Sequence, residues 1–140
     1  NGCHPYGEAL FNRCVYGVFD PVGYGADGKY GNEWDMTIWI SDRGIESGRL
    51  KDILIHEAAH AYSYLVLRGC VVPDGSSFRE LAHKRYGDEE HLADVFVLYY
   101  GGKWTNYDGR ENIPIRDRSW MSNMIDYCNL YEEALATLSS

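Results

Sequence analysis

The stretch Leu50–Gly69, LKDILIHEAAHAYSYLVLRG, constrains this chain more than any other part of it. It is the one long run of strongly helical composition, with Ser47 placed to cap its start and Gly69 to end it. Inside it lies His56-Glu57-Ala58-Ala59-His60. Residues four apart share a helical face, so His56 and His60 can offer two imidazoles to one cation. Glu57 is turned about 100° from His56, which sets its carboxylate beside that cation rather than on it. A general base for metal-activated water belongs there. The same five-residue pattern also arises on ordinary amphipathic helices, as two unrelated histidines around a glutamate. The surroundings tip the balance. Ile53, Leu54, Ile55, Ala58, Ala59, Ala61, Leu65, Val66 and Leu67 are apolar or small, whereas a solvated face would carry more Lys, Arg and Glu. Burying two histidines and a glutamate among them is costly unless a metal and its hydrogen-bonded neighbours offset the loss of water.

At 140 residues the chain is long enough for one compact domain with a real core, and a single domain spanning 1–140 is expected. The formal net charge is −8 and no basic patch with interleaved aromatics occurs, which argues against a nucleic-acid partner. No apolar run approaches the length of a bilayer span. The four cysteines, Cys3, Cys14, Cys70 and Cys128, form no CxxC pair and so point to disulfides rather than to a cysteine zinc site. Of the three possible connectivities, Cys3–Cys14 and Cys70–Cys128 are favoured, each worth roughly 2–4 kcal/mol. Two bridges imply an oxidising compartment and a secreted or extracytoplasmic protein; four free thiols in the cytosol are the alternative.

Elsewhere, Glu8–Val18 reads as a short helix running into an extended Val15–Phe19, and Asp20–Gly31 as a glycine-dense loop lacking calcium-loop spacing. Glu33–Ser41 alternates as a strand, Trp34, Met36, Ile38 and Ile40 against Asp35, Thr37, Trp39 and Ser41, and could serve as an edge for an extended peptide. Arg43–Ser47 reads as a turn. Ser76 or Ser77 caps a helix stopped by Gly87, and Asp88 caps another from Glu89 to Tyr100, closed by Gly101-Gly102. Lys103–Gly109 is loop-like, Ile113–Ile115 extended, and Arg116-Asp117-Arg118 a solvated or salt-bridged turn. A last helix, capped by Asp117 or Ser119, carries an apolar stripe of Trp120, Met124, Tyr127, Cys128, Tyr131, Leu135 and Leu138.

A hydrolytic zinc site takes three protein ligands and keeps one position open for water. Glu90, thirty residues after His60, supplies a third donor of suitable chemistry, and Asp94 shares its helical face. Asp94 is placed to accept a hydrogen bond from the second nitrogen of a ligand histidine. A glutamate in a first helical turn also complements the macrodipole with no metal at all, and Asp94 or His91 are alternative ligands.

With these residues in view, His56-Glu57-x-x-His60 followed by Glu90-x-x-x-Asp94 resembles the signature of the gluzincins, zinc metallopeptidases with a glutamate third ligand on a later helix. The likeness covers roughly residues 34–100 and is similar to compact minimal zincins, among them immunity-region peptidases and small secreted actinobacterial zincin-like proteins. It implies Zn2+ held by His56, His60 and Glu90, with Glu57 as base and then acid and Asp94 behind a ligand. The candidates for stabilising the oxyanion are His83 and Tyr86; some gluzincins keep a tyrosine seven residues before the ligand, where this chain has His83. There is no His-x-x-Gly-x-x-His extension, which excludes the metzincin layout, and the Gly-Thr-x-Asp pattern of aspzincins is not found.

The expected fold is α+β, a minimal zincin in which a small sheet including Trp34–Ser41 packs on the HExxH helix. The Glu90 helix lies beside it and a carboxy-terminal helix behind. The expected function is zinc-dependent hydrolysis of protein or cell-wall peptide by an exported monomer. The rivals are a zincin-like domain that holds metal without turnover, and a metal-free helical domain with two surface histidines.

Overall fold

A computed structural model of the chain describes residues 14–22, 36–105 and 115–139. Among these the fold is mixed α+β and mostly helical, as expected. The chain divides into two compact units, Asn1–Ala61 and Tyr62–Ser140, with the boundary inside the long helix.

In the first unit, strands β1 (Gly17–Asp20) and β2 (Thr37–Ile40) pair antiparallel with Gly17 opposite Ile40 and Phe19 opposite Ile38. Helix α1 (Asp42–Glu46) follows at once where a turn was expected. Its cause is Ser41, whose extended backbone and side chain cap it by accepting a 3.1 Å hydrogen bond from the Gly44 N–H. Ser47 is not the N-cap of the long helix. It is the C-cap of α1, donating its hydroxyl to the Gly44 carbonyl at 2.6 Å and accepting from Arg49 N–H at 3.1 Å. Helix α2 (Leu50–Leu65) then begins, and Ile53, His56, Glu57 and Ala59 are its buried residues in this unit.

The strand expected over Glu33–Ser41 is confined to Thr37–Ile40 among the described residues. Met36, with φ of 60°, bends the chain into it. The α-helical part of Leu50–Gly69 stops at Leu65, and a 3-10 turn, Leu67–Gly69, completes the run. Gly69 does not adopt the left-handed conformation of a glycine cap.

The second unit is built from helices. After Cys70, the Pro73-Asp74-Gly75 turn is closed by Val72 N–H on the Ser76 carbonyl. Helix α3 (Phe78–Tyr86) is capped by Ser77, which accepts from Glu80 N–H, and stopped by Gly87 at φ 115°. Helix α4 (Glu89–Tyr99) is capped by Asp88, which accepts from His91 N–H at 2.9 Å. Every residue from Leu92 to Leu98 is buried, so this helix is wrapped on all sides. Helix α5 (Ile115–Ser139) starts before Asp117 and Ser119, at the residue read as the end of an extended piece. It buries Asp117, Met121, Met124 and Cys128, a spacing of three and four that keeps one face inward.

The apolar stripe expected to run to Leu138 is buried only as far as Cys128; Leu135 and Leu138 are exposed. Phe78 and Tyr86 meet Trp120 edge-on with ring centroids 6.0 and 5.8 Å apart. The Cys70–Cys128 disulfide joins residues 58 apart in sequence, as expected. The Cys3–Cys14 pairing, the helix start at Glu8, most of the Asp20–Gly31 loop, Trp34, and Asn106–Pro114 lie outside the described residues. Among the described residues no helix is long and apolar enough to cross a membrane.

Candidate metal centre

Helix α2 brings three of the expected site residues together. His56, Glu57 and His60 offer one ligand atom each, all within 4.8 Å of one another. The Nε2 atoms of His56 and His60 are 3.1 Å apart, their rings edge to face with centroids separated by 4.8 Å. Two nitrogens each held about 2.0–2.1 Å from one tetrahedral cation stand about 3.4 Å apart, so the pair fits a shared metal with little adjustment. Glu57 places Oε1 at 3.9 Å from His60 Nε2. His56 is 7% exposed and Glu57 4%, so a charge placed here is shielded from bulk water and its interactions are weakly screened.

The sequence folds this way for local reasons. Ile53, one turn before Glu57 and 2% exposed, anchors the inner face of α2. Strand β1 approaches that face where it has no side chain. A Cβ built on Gly17 would lie 3.0 Å from Ile53 Cγ2 and 3.1 Å from Glu57 Cγ. The small sheet therefore packs on the HExxH helix, as expected, and the point of closest approach is Gly17. An isolated glycine in the apolar run Val15–Phe19 was the available signal, since glycine within a strand marks a close backbone approach.

The other expected site residues belong to the second unit. Glu90 is half-buried in the first turn of α4, and Asp94 is fully buried one turn on, within the run Leu92–Leu98. His83 bonds the residue before Glu90: its Nε2 donates to Glu89 Oε1 at 2.6 Å. Tyr86 is buried, with its ring edge-on to Trp120 and the Arg85 guanidinium 5.8 Å from its centre.

Glu89 is the residue that reading along the chain passed over. Its Oε1 also accepts from Ser63 Oγ at 2.7 Å, and Arg79 Nε reaches Ser63 Oγ at 3.1 Å and Glu89 Oε1 at 3.4 Å. Ser63 is wholly buried, and this polar knot ties the end of α2 to α3 and the start of α4. Spacing carried no sign of it, because its members come from three helices.

No family model, curated protein or solved structure matches the chain.

Proposed function

We propose that this protein is an exported zinc-dependent endopeptidase acting on protein or cell-wall peptide. The observation that carries the reading is the convergence of the His56 and His60 Nε2 atoms at 3.1 Å, with a buried Glu57 carboxylate beside them. Two imidazoles suit zinc among the common divalent ions. In this reading His56 and His60 hold the metal, Glu90 completes the set by the Glu-x-x-x-Asp pattern, and Asp94 accepts a hydrogen bond behind a ligand. A zinc ion there supplies Lewis acidity, making water more acidic and a peptide carbonyl more electrophilic. Glu57 takes the proton from the attacking water and delivers it to the departing amine.

His83 and Tyr86 are the candidate donors to a substrate oxygen; His83 is bonded to Glu89 and the Tyr86 ring lies edge-on to Trp120. Export is supported by the Cys70–Cys128 disulfide, which persists in oxidising compartments.

The test is metal analysis of the purified chain together with digestion of a random peptide library. One zinc per chain and cleavage that Glu57→Ala abolishes while zinc stays bound are the expected results. Zinc retained with no cleavage by the native chain would instead favour a domain that holds metal without turnover. No bound metal would overturn both.

A further inference from the structure

We propose that Gly17 is a positioning residue for Glu57: the absent Cβ lets β1 lie against the Glu57 side chain and fixes the direction in which that side chain leaves α2. The inference deepens the zinc-peptidase reading and rests on it for the consequence to catalysis. Its geometric basis lies wholly in the first unit.

Three side chains crowd the position a Gly17 methyl would occupy. Ile40 Cδ1 and Ile53 Cγ2 would each be 3.0 Å away and Glu57 Cγ 3.1 Å away, distances at which a neighbour must give. Ile53 is 2% exposed and packed, so it has little room to move. Nor can the strand back away. The carbonyl of Tyr16, immediately before Gly17, accepts from Ser41 N–H at 3.0 Å and from Ser41 Oγ at 3.2 Å. Ser41 is itself fully buried and anchored as the cap of α1. On its other side the same carbonyl lies against Gly44, where an added Cβ would meet Tyr16 O at 2.4 Å. Gly17 is also in register with Ile40 of β2. The backbone is thus held from both sides, and the methylene of Glu57 fills the space the glycine leaves. A general base must be held to within a fraction of an ångström of the proton it takes, and a flexible glutamate has three side-chain torsions through which to lose that aim. Pinning Cγ fixes the first of these torsions, and with it the direction in which the side chain leaves the helix toward its carboxylate.

The experiment compares the native chain, Gly17→Ala, Gly17→Ala/Ile40→Val and Glu57→Gln. Without reference to metal or activity, NMR of the native chain should show a cross-relaxation peak between the Gly17 α-protons and the Glu57 γ-protons, and the Glu57 methylene resonances should move in Gly17→Ala. With zinc bound, Gly17→Ala should lower kcat about ten- to a hundredfold while KM and zinc affinity stay within about twofold. Removing the facing methyl in Gly17→Ala/Ile40→Val should recover part of kcat, and this second variant carries the test if Gly17→Ala alone folds poorly. A native chain lacking the proton contact, or a folded Gly17→Ala with unchanged kcat, overturns the inference; so does a parallel loss of zinc, KM and kcat that the second substitution fails to relieve. If the contact is present but the native chain cleaves nothing, the peptidase reading fails, and if Glu57→Gln cleaves as well as the native chain, Glu57 is not the base; in both cases the catalytic consequence goes, while the packing of Glu57 on Gly17 stands.

Discussion

His56 and His60 present their Nε2 atoms to each other at 3.1 Å across one turn of α2. Two ring nitrogens this close must share either a proton or a cation. On the zinc reading proposed above, substituting either histidine by alanine should weaken zinc binding by more than about a hundredfold, since loss of a ligand exceeds the 10–100-fold seen for groups behind one. Titration with a competing zinc chelator checks this. Equal affinity in His60→Ala would place the metal elsewhere.

Ser41 does two jobs at once, capping α1 through Gly44 N–H and holding the Tyr16 carbonyl. Loss of an N-cap alone costs about 1 kcal/mol, and the lost bond to Tyr16 adds to it. Ser41→Ala should destabilise the chain by about 2 kcal/mol in denaturant titration. A change below a few tenths of a kcal/mol would show that the cap is replaceable.

The Cys70–Cys128 bridge closes a loop across 58 residues. On the chain-entropy account a loop of that size is worth about 4 kcal/mol. Replacing both cysteines by alanine should lower unfolding stability by roughly that amount, read from urea melts under otherwise equal conditions.

Asp88 caps α4, and the His91 backbone N–H, with the His91 side chain, holds its carboxyl below the usual carboxylate range. A pKa depressed by folding contributes stability above the unfolded value and loses it as pH falls through the folded one. Asp88→Ala should cost about 1 kcal/mol at neutral pH, and the gap to the native chain should close as pH falls below the usual carboxylate range. Melts at neutral and strongly acidic pH decide this; a gap independent of pH would mean that the ionised form is not what caps the helix.

Tyr62 behaves in the opposite sense. Burial, with smaller contributions from Tyr100, Glu132 and Asp126, pushes its hydroxyl up to about 12, and that hydroxyl donates to Asn129 Oδ1 at 2.9 Å. Because the folded value exceeds the unfolded one, the stabilisation is complete below about pH 10 and disappears as pH rises through about 12. Tyr62→Phe should therefore lose stability less steeply than the native chain over that alkaline range. Parallel slopes in denaturant melts would contradict it.

Much of the helical part was legible in residue order because its signals are local. Ser77, Gly87 and Asp88 punctuate α3 and α4 where a capping residue or a glycine stands at the required position. The reading failed where one local signal competed with another. Ser47 resembles an N-cap for α2 but serves the end of α1, whose existence depends on Ser41. Ile115 follows a proline and reads as extended, yet α5 begins there, and Asp117 in its first turn receives both Nε and Nη2 of Arg85 rather than solvent.

The sequence by itself determined the one-turn spacing of His56 and His60, the place of Glu57 between them, and the helices capped by Ser77 and Asp88. Helical periodicity and short-range capping express these within a few residues. Only the tertiary structure decided that Gly17 lies against Glu57, that Ser63, Arg79 and His83 gather on Glu89, and that α5 buries its stripe no further than Cys128. Those relationships join segments far apart in the chain, and they are selected by close packing and by the need of buried polar groups for partners, neither of which leaves a periodic mark in residue order.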